Sequence, residues 1–188
     1  MLFLGVALAL FGPVALHGQN LALKLGFNQA FEAQNHVSLA AECAIAKRWS
    51  LQGDLGVGAR SYGSTPNIVG LDQSYFATLE VRRYLFGQRG QRMSGAFVGP
   101  SIQASRWIWR RENLLPALQE GHYLAGGAVV GYQYALGERV RLGASFYAWY
   151  APINEVRIAE YPNSVLYDAI YNVGEFKAAL RLSAGVTL

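Results

Sequence analysis

From residue 20 almost to the end of the chain, apolar side chains fall on every second position. Leu21, Leu23, Leu25 and Phe27 alternate with Ala22, Lys24 and Gly26. Val37, Leu39, Ala41, Cys43 and Ile45 alternate with Ser38, Ala40, Glu42 and Ala44. Trp49, Leu51, Leu55 and Val57 alternate with Ser50, Gln52, Asp54 and Gly56. A period of two puts one set on each face of a strand, so these runs predict three half-apolar strands. Five more follow over residues 75–85, 96–104, 123–134, 140–150 and 176–188. Pro100 in the fifth has no backbone N–H to give a ladder, which predicts a local bulge there. The pattern yields eight strands, and no helical period competes with it.

The links between these strands set the architecture. Those around Lys47 and Arg48 and around Gly137 and Glu138 are very short, and the one over 86–93 is modest. The links over 28–35, 60–73, 106–121 and 151–174 are mostly longer. Short and long alternate, so an up-and-down meander gathers all the long loops at one end. That arrangement predicts an all-β, eight-stranded, antiparallel transmembrane barrel with short periplasmic turns and long extracellular loops. Residues 44–51 echo residues 135–142 in the same apolar phase, which gives the two hairpins equivalent insides and outsides.

The second face decides which side is wet. It is rich in Gly, Ala and Ser with scattered charges, whereas a water-exposed face carries many more charges and fewer glycines. Small residues with occasional charges suit an eight-stranded interior just wide enough for side chains to fill it. The large apolar set then faces lipid, and Trp49, Tyr75, Trp107, Tyr132, Tyr134 and Tyr150 form interfacial girdles. A soluble lipocalin-like barrel with the opposite facing is the rival architecture.

Composition narrows the class further. The chain has 188 residues, enough for one domain, and only 15% are charged against about 25% in a typical soluble domain. A single cysteine, Cys43, excludes an internal disulfide framework, and its phase directs it toward lipid. The net charge of +4 is spread over 16 basic residues, including local groups at Lys47 and Arg48, at Arg82 and Arg83, over 89–92, and at Arg110 and Arg111. Charge so dispersed does not build a nucleic-acid surface. Residues 1–16 are uncharged and largely apolar, too short to span a bilayer as a helix. They predict an export signal over 1–18, with the barrel occupying 19–188.

The run Glu80, Val81, Arg82, Arg83, Tyr84, then Gly95 to Gly99, then Gly126, Gly127 and Gly131 to Gln133 resembles an uncharacterised outer-membrane barrel family common in Bacteroidetes-type bacteria. More broadly the chain is similar to the small porin-like barrels of the OmpA/OmpX type. The resemblance implies an outer-membrane address in a Gram-negative cell envelope, surrounding lipid and lipopolysaccharide, and handling by the barrel-assembly machinery. That machinery often reads a terminal aromatic residue; this chain ends in Leu188, in the same phase.

The candidate constellation is a lumen charge network of structural role: Lys24, Glu42, Asp54, Glu80, Arg82, Arg141, Lys177 and Arg181. Buried charges must be paired, because desolvation of a lone charge is prohibitive. Glu80 and Arg82 share a face, Glu42, Asp54 and Arg141 are placed to join them, and barrel closure is expected to set Lys24 beside Lys177 or Arg181. At the outer rim Trp107, Trp109, Arg110 and Arg111 mix aromatics and cations suited to a surface ligand or lipopolysaccharide phosphates. The stretch 153–172 is the longest loop and a second candidate contact surface. His36, Ser38 and Glu42 share one face and superficially resemble a hydrolase set, as in lipid A-modifying barrel enzymes. Alternate positions on a strand are about 7 Å apart, too far for short side chains to bond along it. Two mature-chain histidines and one cysteine give no zinc spacing. The expectation is therefore a non-catalytic barrel without metal or cofactor, of structural or surface-interacting role.

Overall fold

The computed structural model describes residues 21–30, 35–65, 68–86, 93–111, 117–160 and 174–188. The proposed export signal, the basic group over 89–92 and the stretch 161–172 lie outside the described residues. Eight strands follow one another: β1 (Leu21–Ala30), β2 (Asn35–Ala46), β3 (Trp49–Thr65), β4 (Ile68–Phe86), β5 (Gly95–Arg111), β6 (Ala117–Leu136), β7 (Val140–Glu160) and β8 (Glu175–Thr187). Each pairs antiparallel with its sequence neighbour, and β1 pairs with β8 to close the barrel. Closure removes every free sheet edge along the paired length.

The alternation continues through all eight strands. On β1 Leu23, Leu25 and Phe27 point outward while Ala22, Lys24 and Asn28 are buried. On β7 Leu142, Phe146 and Tyr150 are exposed, and Arg141, Ser145, Tyr147 and Trp149 are buried. The outward set includes Leu25 at 64% exposure and Ile102 at 54%. Cys43 keeps that phase, opposite Leu21 and Leu51, but is only 1% exposed and so is covered.

Large inward side chains require glycine on a neighbouring strand. A Cβ added at Gly56 would run into the Phe76 ring, and one at Gly131 would meet Phe97 at 2.5 Å. Gly56→Leu is therefore expected to cost about 1–3 kcal/mol through overpacking, with Phe76→Ala relieving much of it. The midpoint of urea unfolding measures both. Gly137, with φ of 68°, turns the chain between β6 and β7 in a conformation that disfavours a Cβ.

Two features differ from the reading of the sequence. The ladder opens at Gly99 and Pro100 opposite Val81 and Arg82, but register is the same on both sides, Glu80 to Ser101 and Arg83 to Val98. Pro100 thus removes a rung without adding a residue. Register shifts fall instead at Ala44/Ala46, at Gly63/Thr65 and at Tyr84/Phe86, and on β7, where Leu124 faces Ile153 and Gly126 faces Tyr150, one extra residue makes a bulge. The extra residue falls beside Pro152, which cannot donate to the ladder. Secondly, the strands run well into the links read as long loops: β3 reaches Thr65, β5 reaches Arg111 and β7 reaches Glu160. Hairpin partners satisfy each other's backbone there whatever their side chains, so pairing outlasts the apolar pattern.

Candidate functional site

The inward face assembles one continuous polar network in the middle of the barrel. Glu42 on β2 pairs with Lys24 on β1 and accepts from Ser50 at 2.5 Å and Tyr84 at 2.7 Å. Lys24 also donates to Gln52 at 2.9 Å and reaches across the lumen to Gln133 at 2.5 Å. Gln133 in turn donates to the Met93 carbonyl at 2.6 Å. Arg82 links the two glutamates, with Nη2 2.7 Å from Glu80 and Nη1 3.7 Å from Glu42.

Glu80 is the most heavily used acceptor. It takes hydrogen bonds from Arg82 Nε at 2.7 Å, the Tyr147 hydroxyl at 2.7 Å and Arg181 Nη1 at 3.1 Å. Arg181 pairs with Asp54 as well and donates through Nε to Asn28 at 2.6 Å. Three cations, Lys24, Arg82 and Arg181, thus meet three carboxylates, Glu42, Glu80 and Asp54, and the formal charges cancel. All six are buried, none more than 3% exposed. Burial of such groups is tolerable only with this degree of pairing and hydrogen bonding. Aromatic rings wall the network: Arg82 lies 4.3 Å from the Phe97 centroid and Arg181 4.8 Å from that of Tyr147, which stacks on Trp149.

Two residues of the expected set are placed elsewhere. Arg141 sits at the turn end and donates to the carbonyls of Gly137 at 3.3 Å and Val140 at 3.1 Å. Lys177 lies toward the opposite end, 3.1 Å from Glu175 and 4.7 Å from the Tyr123 ring centroid. Lys24 is beside neither Lys177 nor Arg181: the closing register sets it against Gly185 and sets Arg181 against Asn28. A side chain at position 185 would strike the Lys24 stem at 2.6 Å, so glycine makes room for the lysine. Tyr84, Tyr147, Ser50, Gln52 and Gln133 also belong to the network. Gln52 and Gln133 stand out in the sequence as large polar residues on the small-residue face, and the two tyrosines are too large to be filler there, whereas Ser50 is of the same kind as the filler around it.

The set His36, Ser38 and Glu42 does not come together. Ser38 accepts from Asn28 at 3.1 Å, and Glu42 is committed to the network. His36 Nε2 instead lies 2.7 Å from Ser74 Oγ, and the two meet across Gly58, where a Cβ would press on both. Both face the lumen and are nearly buried. Trp107 is not a girdle residue. It has the inward phase of Ser101 and Gln103 on β5 and lies over Gly121, where an added Cβ would run into its ring. The backbones of Trp109, Arg110 and Arg111 pair with Asp72, Leu71 and Gly70, and their side chains lie outside the described residues. On the outer surface nearby, Arg106 forms an exposed ion pair with Glu120 at 2.7 Å. Among the described residues no group of three or more His, Cys, Asp and Glu is placed to hold a metal ion.

A family model described as Protein of unknown function (DUF3575) matches residues 4–182. No curated protein matches the chain in sequence. Among solved structures, it is similar to a major outer membrane protein from Thermus thermophilus, with a TM-score of 0.60 and 15% identity. That match covers 89% of this chain and 98% of that one. It is also similar to Ail, the attachment invasion locus protein of Yersinia pestis, with a TM-score of 0.53 and 12% identity over 89% of this chain and 98% of Ail. At these identities the likeness is one of fold: a small closed antiparallel barrel.

Proposed function

We propose that this chain, which belongs to the family described as Protein of unknown function (DUF3575), is an outer-membrane barrel of structural or surface-interacting role with a sealed lumen. The observation that carries this reading is the segregation of its two faces. Leu25, Val37, Leu39, Ile102 and Leu182 project outward and are exposed, while the charged residues Lys24, Glu42, Glu80 and Arg82 are enclosed. Water would penalise so continuous an apolar belt, and lipid favours it. Closure also satisfies the strand backbones internally, the condition a bilayer imposes. Export by residues 1–18, handling by the barrel-assembly machinery, and contact with lipopolysaccharide at the outer rim belong to the same reading.

The lumen supports it too. Among the described residues, a charge-neutral network whose ion pairs join five strands plugs the interior, with no aligned row of one sign to select ions. A non-catalytic role is favoured by the placement of His36 and Ser74. The ester and amide bonds of a membrane lipid lie at its headgroup outside the barrel wall, and this pair faces inward. The test is gel mobility of the protein from a washed outer-membrane fraction, with and without boiling. A faster unboiled band is expected, together with no steady conductance in planar bilayers. A soluble protein without a mobility shift would reverse the inside-outside assignment and make a lipocalin-like ligand cavity the better reading.

A further inference from the structure

The turn end of the barrel carries cations that the lumen network does not use. Lys47 and Arg48 form the exposed turn between β2 and β3. The next residue, Trp49, pairs in register with Arg83 on β4, and the Tyr84 N–H donates to the Arg48 carbonyl at 2.8 Å. This ties turn and neighbouring strand into one surface. Arg83 projects outward with its guanidinium 5.6 Å from the Trp49 ring centroid. Among the described residues at this end, the exposed carboxylate side chain is Glu138, and it lies on the turn between β6 and β7, on the other side of the barrel. Directly beside the cations stand exposed apolar groups: Ile45 at 52%, Leu85 at 40% and Phe86 at 73%.

Two cations on the turn and a third level with an outward tryptophan, bordering the outward apolar residues Leu55, Val57 and Leu79 of β3 and β4, match one chemistry: a phosphate headgroup whose acyl chains lie along the barrel wall. Tryptophan at the interface fixes the depth, and the arginine stem follows the apolar surface while its head stays at the phosphate level. We propose that Lys47, Arg48 and Arg83, with Trp49 beside them, seat an anionic phospholipid at the turn end of the barrel. The proposal rests on the membrane-barrel reading and adds to it a lipid preference on one flank of one end.

The test uses the full chain folded in micelles holding equal amounts of phosphatidylglycerol and phosphatidylcholine, with retained lipid read by native mass spectrometry. Retention is expected to favour phosphatidylglycerol, and K47Q/R48Q/R83Q is expected to lower that preference by roughly fivefold for each cation removed. The triple variant keeps Trp49 and changes exposed positions only, and an unboiled fast band confirms that it is folded. Equal retention of the two lipids, or a preference unchanged in the folded triple variant, overturns the proposal. So does release of phosphatidylglycerol by millimolar inorganic phosphate, which would mark a free-phosphate site. In micelles that also hold bisphosphorylated lipid A, retention of lipid A in place of phosphatidylglycerol, lost in the variant, would assign the seat to the other leaflet and also overturn it. A wild-type chain with no fast unboiled band would remove the barrel premise itself, a result separate from all of these.

Discussion

Glu80→Ala is expected to destabilise the barrel by about 3–5 kcal/mol, because it strips the shared acceptor from two buried guanidinium groups. Arg82 and Arg181 both bond to Glu80, as does the Tyr147 hydroxyl. Asp54 and Glu42 then face three cations with two carboxylates in an interior that water does not reach. The loss exceeds the net worth of any one bond, since most of it is the cost of an uncompensated charge. Glu80→Ala combined with Arg82→Ala restores neutrality, so the pair is expected to cost clearly less than the sum of the single changes. Urea unfolding followed by gel mobility measures all three proteins. A loss within about 1 kcal/mol for Glu80→Ala would mean that the network is solvated and contributes little to closure.

Val130→Arg is expected to cost about 2–4 kcal/mol if the belt lies in lipid. Val130 is exposed and projects outward from β6, four residues from Tyr134 and four from Gly126, which pairs with Tyr150. It therefore lies within the apolar belt, between Tyr132 and Tyr134 toward one end and Tyr150 toward the other, with Phe146 beside it. In water the same position would accept arginine at almost no cost, as exposed surface sites do. Refolding into vesicles against refolding in detergent-free buffer separates the cases. A fully soluble Val130→Arg variant of wild-type stability would reject the lipid-facing assignment.

Much of the fold was legible because a period of two leaves little choice. Lys24 next to Leu25, and Glu80 next to Val81, fix the inside and outside of their strands whatever the partners are. Strand ends were less legible. Residues 60–73 read as a loop, yet 60–65 pair with 68–72. Apolar pattern reports what a face is buried against, and beyond the belt there is nothing to bury.

Within the site, sequence neighbours on one face were found, as with Glu80 and Arg82. Partners brought together by closure were not, because the β1–β8 register is set by the whole barrel. Arg181 beside Asn28 is its product. Trp107 was misassigned because an aromatic near a strand end suggested a girdle, although its parity with Ser101 and Gln103 already placed it inside. Gly121 beneath it was the confirming signal.

The network also bears on the order of events when the chain acquires its structure. Its bonds join residues 153 positions apart for Arg181 and Asn28, 109 for Lys24 and Gln133, and 101 for Arg181 and Glu80. The Arg181–Asn28 bond cannot form until first and last strands have met, the other two need strands brought face to face across the lumen, and loop-closure entropy must be met before any of them rewards it. A partly assembled sheet would hold Lys24 and Arg181 without their full complement of partners. Closure and completion of the charge network therefore coincide, while hairpins between neighbouring strands need neither and precede both.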